Sequence, residues 1–248
     1  MYPAINIAGF ALPTAGLLYI FGAYFTLSVI EKTAVWVNHD SEEIYALGTV
    51  TLVAGVVGAR LVFVSEYWAA FSTNMVSIVW PLNTGYNSWA GLLIGLVAGF
   101  FYARGKQMPP AKTLDAIVPG LVFGLMIISL KDFLAGPGYG VISTVPWAIS
   151  QFGISRHPVQ IYELIAGVVS LGIWWRMSRS ERRDGLLFLI TTGVYSASRL
   201  YLDALRDNAW LTTNGLHVWQ IISFIILVLC VFYLRYYLPA PTPKTNNQ

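Results

Sequence analysis

A chain of 248 residues that is 56% hydrophobic, 15% aromatic and only 11% charged lies far outside the balance of a soluble domain and excludes a soluble enzyme core. Fifteen cations against twelve carboxylates give a formal net charge of +3, and no nucleic-acid partner is expected. The single cysteine, Cys230, excludes disulfides within the chain and any cysteine-based metal cluster.

A bilayer core of roughly 30 Å needs about 20 apolar helical residues. Seven apolar runs are bounded by charge, Pro or Gly, and they predict spans at 4–30, 44–64, 89–104, 114–131, 158–176, 185–205 and 218–238. All seven are expected as helices, because an open sheet cannot satisfy its backbone in lipid and the runs lack the alternation of barrel strands. The expected fold is therefore all-α and integral to the membrane, with seven transmembrane helices. The first charge is Glu31, so 1–30 lacks the basic start of a cleavable signal peptide and is expected to stay as the first span.

Cations set the orientation, since they collect on the cytoplasmic side. With the N-terminus outside and the C-terminus cytoplasmic, the inner segments hold Lys32, Arg104, Lys106, Lys112, Arg176, Arg179, Arg182, Arg183, Arg235 and Lys244. The other five, Arg60, Lys131, Arg156, Arg199 and Arg206, then gather at the outer ends of helices or in outer loops. They are either snorkelling anchors or a functional cluster. Two long connections, 65–88 and 132–157, lie on that same face. Trp68, Trp80 and Pro81 in one, and Gly136, Pro137, Gly138 and Trp147 in the other, suit loops resting at the interface. Residues 1–238 are expected as one seven-helix domain, and 239–248, rich in proline, as a short disordered cytoplasmic tail.

Small residues four apart, Ala54/Gly58, Gly55/Ala59, Gly91/Gly95/Gly99 and Gly120/Gly124, mark seams where helix backbones approach closely. The chemistry-bearing residues lie elsewhere. Arg199, Asp203 and Arg206 follow i, i+4, i+7 spacing on one face of the sixth span, with Tyr195 one turn before, and Asp203 can bridge both arginines. The trio keeps a net positive charge, which suits an anion or a carboxylate from another helix. Arg156-His157-Pro158-Val159-Gln160-Ile161-Tyr162-Glu163 opens the fifth span. Pro158 fits the first helical position, Gln160 and Glu163 share a face, and the helix start beside Arg156 is a candidate anion site. For His157, a local hydrogen bonder or cap stands beside a catalytic role; for Glu163, a buried partner of Arg199 or Arg206 does. Arg60, in Gly58-Ala59-Arg60-Leu61, is an anchor or a phosphate ligand. Gln220 and Ser223 are neutral groups able to bond across the bundle, and His217 just before them reads as interfacial. There is no phosphate-binding glycine loop with its lysine, no HExxH signature, and the three histidines are too scattered for a metal site.

These residues resemble bacterial prolipoprotein diacylglyceryl transferases. Residues 156–163 resemble that family's RHPxQxYE segment, 58–61 its GGRL segment, 88–95 its SFHGGLIG segment, 115–119 the start of its next helix, 199–206 its RF..E..R helix and 219–223 its closing GQILS. The resemblance implies the same seven-span layout and the transfer of diacylglyceryl from phosphatidylglycerol to the thiol of a lipobox cysteine, releasing glycerol phosphate without metal, nucleotide or other cofactor. Catalysis is expected of His157, Glu163 and Arg206, and substrate binding of Arg60, Lys131, Arg156, Gln160, Tyr162, Arg199, Asp203 and Gln220.

The departures are specific. The family's histidine aligns with Ala90, and its GRxGNFxNxExxG signature aligns with 128–140, where its arginine has become Ser129 and its asparagine Asp132. Lys131 is the candidate replacement cation, and His157 or Glu163 the candidate replacement base. Two functions follow as expectations. One is a divergent transferase of the bacterial inner membrane acting on phosphatidylglycerol and a prolipoprotein. The other is a non-catalytic descendant that binds anionic phospholipid as an accessory or assembly subunit of a membrane complex. A transporter would show inverted repeats or paired broken helices, and the sequence has neither.

Overall fold

The computed structural model describes residues 4–7, 10–79 and 85–237. Trp80, Pro81 and the proposed tail therefore lie outside the described residues. Strands β1 (Ala4–Ile7) and β2 (Phe10–Pro13) pair antiparallel, with Ala4 opposite Pro13. They lead into α1 (Thr14–Ala34), a 3-10 turn (Val35–Val37) and α2 (Ser41–Glu66). Two short helices follow, α3 (Trp68–Phe71) and α4 (Val76–Val79). Then come α5 (Ser88–Gly105) and α6 (Pro110–Ala135). A hairpin of β3 (Ile149–Gln151) and β4 (Ile154–Arg156) precedes α7 (Val159–Ser178). The chain closes with α8 (Leu186–Leu202), a 3-10 turn (Asp203–Leu205) and α9 (Val218–Leu234).

The first span begins ten residues later than the sequence predicts. Residues 4–13 are as apolar as the helix after them, and apolarity alone does not separate strand from helix. Pro13 does: a helix running through it would lose a hydrogen bond and clash with the carbonyl four residues back, so α1 starts immediately after it. The two long connections also carry structure, namely α3 and α4 in 65–88 and the β3–β4 hairpin in 132–157, into which α6 extends as far as Ala135.

Four helical segments, Thr14–Val37, Ser41–Glu66, Ser88–Gly105 and Pro110–Ala135, are long and apolar enough to cross a membrane, and Val218–Leu234 is a shorter apolar helix. The fold is all-α apart from its small hairpins, and its polarity is inverted. Leu93, Leu96, Phe100, Phe101, Val231 and Phe232 are exposed, whereas Arg60, Ser129, Asp132, Arg156, Gln160, Glu163 and Asp203 are buried. Lipid is the solvent that makes this distribution stable, because apolar side chains meet acyl chains outside while polar groups find partners inside.

The chain forms two compact units: Leu27–Ile117, and Met1–Thr26 with Val118–Gln248. In the first, Asp40 caps α2 by accepting from the amides of Glu42 (2.8 Å) and Glu43 (3.1 Å). Asn87 caps α5 by accepting from the amide of Ala90 (3.0 Å). Helices α2 and α5 pack through the small-residue seam that the sequence marks. A Cβ on Gly95 would lie 2.7 Å from the Thr51 carbonyl oxygen and 3.3 Å from Gly55 Cα, both on the α2 backbone. Gly95→Ala is accordingly expected to cost about 1–3 kcal/mol by forcing the helices apart, read as a lower thermal unfolding midpoint in detergent. In the second unit α8 packs against both α7 and α9, and this packing positions the polar cluster.

Candidate functional site

The cluster is assembled where α7 begins and α8 ends. Gln160 and Glu163, one turn apart on α7, are both fully buried. Helix α8 tightens into the 3-10 turn at Asp203, and Arg206 leaves it in an extended conformation (φ −83°, ψ 128°). Residues 139–142 are threaded between these segments. Val141 donates its amide to the Leu205 carbonyl (2.9 Å), while the Asp207 amide donates to Tyr139 (3.1 Å) and the His157 amide to Val141 (3.0 Å). Isolated bridges pair Gly140 with Arg206 and Ile142 with Arg156. Backbone pairing thus fixes the Cα positions of both arginines before their side chains make any contact.

Glu163 is the hub. Its Oε1 accepts from Arg199 Nη1 and from Arg206 Nε (3.0 Å) and Nη2 (2.8 Å); its Oε2 accepts from Arg206 Nη2 (2.8 Å) and from the Ser129 hydroxyl (2.7 Å). Two guanidiniums and a hydroxyl thus supply the partners that a carboxyl group at zero exposure requires. Lys131 Nζ pairs with Asp132 Oδ1 at 2.6 Å and stands 5.4 Å from the Tyr19 ring centre. The other Asp132 oxygen lies 3.9 Å from Arg206 Nη2. Gly138, at φ +79°, passes so close that a Cβ there would sit 3.0 Å from Arg206 Nη1 and 3.1 Å from Asp132 Oδ2. Lys131, Arg199 and Arg206 outnumber Asp132 and Glu163 by one positive charge. Each of the three cationic side chains keeps 14–17% of its surface accessible. A buried site with surplus cations and some access is built for an anion.

Arg156 lies beside this group and is partnered differently. Its Nη1 donates to Asp207 (2.6 Å) and to the Gly140 carbonyl (3.0 Å), and its guanidinium stacks on Tyr139 at 4.6 Å. His157 Nδ1 is 3.2 Å from the Tyr162 hydroxyl, which also accepts from Trp147 Nε1 (2.6 Å). Pro158 caps α7 from outside, one position earlier than the sequence predicts, and the first α7 amide, Val159, already donates to the His157 carbonyl (2.9 Å). Gln160 donates to Pro137 (3.3 Å) and its buried Oε1 has no hydrogen-bond partner. Gln220 donates to the Leu200 carbonyl (3.1 Å).

Asp203 does not bridge its helical neighbours. Both arginines turn to Glu163, and Asp203 Oδ2 instead meets His217 Nδ1 at 3.1 Å, leaving the fully buried Oδ1 without a hydrogen-bond partner. Arg60 belongs to the other unit, where its Nε donates to Ile78 (2.9 Å), its Nη1 to Gly85 (2.8 Å) and its Nη2 to Ser77, all backbone carbonyls. Its guanidinium also lies over Phe71 and Tyr86. These contacts make it a staple for the connection between α2 and α5.

Four partners escape a reading by spacing. Ser129 and Asp132 stand out only as departures from a family pattern, and their roles as hydroxyl donor and bridging carboxylate depend on how α6 meets α7 and α8. Asp207 adjoins Arg206 in sequence yet serves Arg156. His217 follows Asp203 by fourteen residues, a separation that on a continuous helix would hold them about 21 Å apart.

Comparison with known proteins gives a consistent result. The sequence profile described as prolipoprotein diacylglyceryl transferase matches residues 3–236. The phosphatidylglycerol–prolipoprotein diacylglyceryl transferase of Clostridioides difficile (strain 630) is 23% identical over 222 residues, covering 90% of this chain and 89% of that protein. The enzyme of the same name from Finegoldia magna is 24% identical over 226 residues, covering 91% of each chain. The one from Geobacter sulfurreducens is 26% identical over 227 residues, covering 86% of each.

Proposed function

Because the chain belongs to the prolipoprotein diacylglyceryl transferase family, we propose that it transfers diacylglyceryl from phosphatidylglycerol to the lipobox cysteine of a prolipoprotein, as a multi-pass protein of the bacterial inner membrane. In this reading seven helices cross the bilayer, with the N-terminus outside and the C-terminus in the cytoplasm. The observation that carries it is the surplus positive charge of Lys131, Arg199 and Arg206 around Glu163 and Asp132. A phosphodiester headgroup supplies the missing negative charge. The cations then stabilise the charge that gathers on the departing glycerol phosphate. Lys131 supplies the cation lost where the family's arginine has become Ser129, and Arg156, Gln160, Tyr162 and Gln220 line the headgroup and glycerol path.

A second reading has its own observation. Ala90 stands where the family has histidine, and both oxygens of Glu163 are already occupied by guanidinium and hydroxyl donors. A protein that binds anionic phospholipid without transferring it, as a subunit of a membrane complex, accounts for that.

The deciding experiment is in-vitro transfer from acyl-labelled phosphatidylglycerol to a lipobox peptide, with released glycerol phosphate as the second product. Transfer by the purified protein is expected; retention of phosphatidylglycerol without transfer would establish the second reading. Lys131→Ala is expected to weaken phosphatidylglycerol binding about tenfold, the equivalent of about 1.4 kcal/mol, measured by native mass spectrometry against a neutral lipid.

A further inference from the structure

Transfer to a thiol needs a proton acceptor, because the thiolate and not the thiol is the nucleophile. Glu163 is saturated, as described above. His157 shares its ring nitrogen with a tyrosine hydroxyl that is itself held by Trp147. The remaining imidazole of this unit is His217, and its setting is of a different kind.

Asp203 is fully buried, and its carboxylate has a single polar partner, His217 Nδ1, while Oδ1 is left unsatisfied. As a stabilising device that is a poor arrangement, since an unpaired oxygen on a buried carboxylate costs free energy without return. As an orienting device it is effective. A carboxylate accepting from Nδ1–H fixes the imidazole tautomer and leaves the Nε2 lone pair on the far edge of the ring, facing away from the carboxylate. A quarter of the His217 side chain is accessible.

Backbone pairing fixes the segment that carries His217. Leu211 bridges His217, the Thr212 amide donates to the Leu216 carbonyl (2.8 Å), and the Leu216 amide donates to the Thr212 hydroxyl (3.0 Å). His217 then caps α9 with an extended backbone and makes no capping bond with its side chain, so helix formation does not use the imidazole. The dyad is also placed well with respect to charge. The Asp203 amide donates to the Arg199 carbonyl, and the Arg206 amide donates to the Asp203 carbonyl (3.1 Å), so the Asp203 backbone lies within one turn of both arginines of the cluster, while its carboxylate turns to His217.

We propose that His217, oriented by Asp203, is the proton acceptor for the substrate thiol. The inference rests on the transferase reading above. The cysteine S–H proton passes to His217 Nε2. The thiolate attacks the diacylglyceryl carbon bearing the phosphate; the S–C bond forms as the C–O bond to phosphate breaks, and the electron pair leaves on glycerol phosphate. The imidazolium then returns its proton to that phosphate or to water, restoring the neutral ring. Asp203 is a positioning residue in this scheme.

The test compares the intact protein with His217→Asn, whose side-chain amide can still donate to Asp203 but cannot accept the proton. Two peptides serve as acceptors: the lipobox cysteine peptide and its selenocysteine analogue, whose selenol is already ionised at neutral pH. With the cysteine peptide H217N is expected to lose about 100-fold in transfer rate, the scale of a general base. With the selenocysteine peptide most of the loss is expected to disappear, and phosphatidylglycerol binding to stay unchanged. Asp203→Asn, which disturbs the tautomer, is expected to show the same pattern more weakly. Transfer by H217N within about twofold of the intact protein would overturn the inference and leave the transferase reading standing. An equal loss with both peptides, or loss of lipid binding in both variants, would make the pair structural and overturn it too. Failure of the intact protein with either peptide would overturn the transferase reading, and this inference with it.

Discussion

Replacing Glu163 by alanine is expected to destabilise the protein by about 3–5 kcal/mol, the loss typical when one member of a buried ion pair is removed. The argument follows from how many donors meet on that carboxylate. Arg199, Arg206 and Ser129 all direct hydrogen atoms at Glu163, and the residue has no solvent exposure. Without it two guanidiniums confront each other in a poorly hydrated interior, and the cluster moves from one surplus positive charge to two. Glu163→Gln separates charge from shape: it keeps an acceptor for Arg206 and fills the same volume, but the same surplus charge appears. Thermal unfolding in detergent micelles should therefore rank intact protein above E163Q, and E163Q above E163A. Added phosphatidylglycerol should recover part of the E163Q loss, because an anionic headgroup replaces the missing charge. An E163A midpoint equal to that of the intact protein would show that the arginines are satisfied by other means.

Replacing Arg206 by alanine should lower transfer by about 100- to 1,000-fold, the effect of removing one donor that stabilises charge developing in a transition state. Arg206 is the member of the cluster with most connections. It contacts both oxygens of Glu163 and approaches Asp132, and its backbone pairs with Gly140. Arg206→Lys tests geometry against charge. A lysine keeps the positive charge but cannot reach both Glu163 oxygens with a planar fork, so most of the loss should remain. Phosphatidylglycerol binding should fall in parallel for R206A, and that part of the result is expected whether the protein transfers the lipid or only holds it. Unchanged lipid binding in R206A would move the headgroup away from this cluster.

How far the site was legible in the sequence varies by residue. Glu163 reads as a buried partner for the arginines and is one; the i, i+4, i+7 spacing of Arg199, Asp203 and Arg206 predicts one helical face, but α8 ends at Leu202 and Arg206 stands past the 3-10 turn in an extended conformation. The same spacing suggested that Asp203 bridges the arginines, which it does not. Helical periodicity reports which side chains are neighbours on one helix, whereas the stronger partner came from α7. For Arg60 the spacing left anchor and phosphate ligand as equals. Its three donors go to carbonyls at residues 77, 78 and 85, which become neighbours only because α3 and α4 fold the connection back.

Composition and hydropathy alone choose the solvent of this fold. Long apolar runs, scarce charge and small residues at four-residue intervals are local properties, and they specify apolar helices that pack backbone to backbone in lipid. The sequence also marks which residues are costly to bury, since each charge within a helix needs a partner wherever the chain places it. Who those partners are depends on how the helices and loops meet. The fold pairs 4–7 with 10–13, sets Ser129 against Glu163, gives Arg156 to Asp207 and brings His217 to Asp203 across fourteen residues of chain. Such pairings depend on helix crossings and loop closure, which sum many weak contacts over distant positions, and no local period in the sequence encodes that sum.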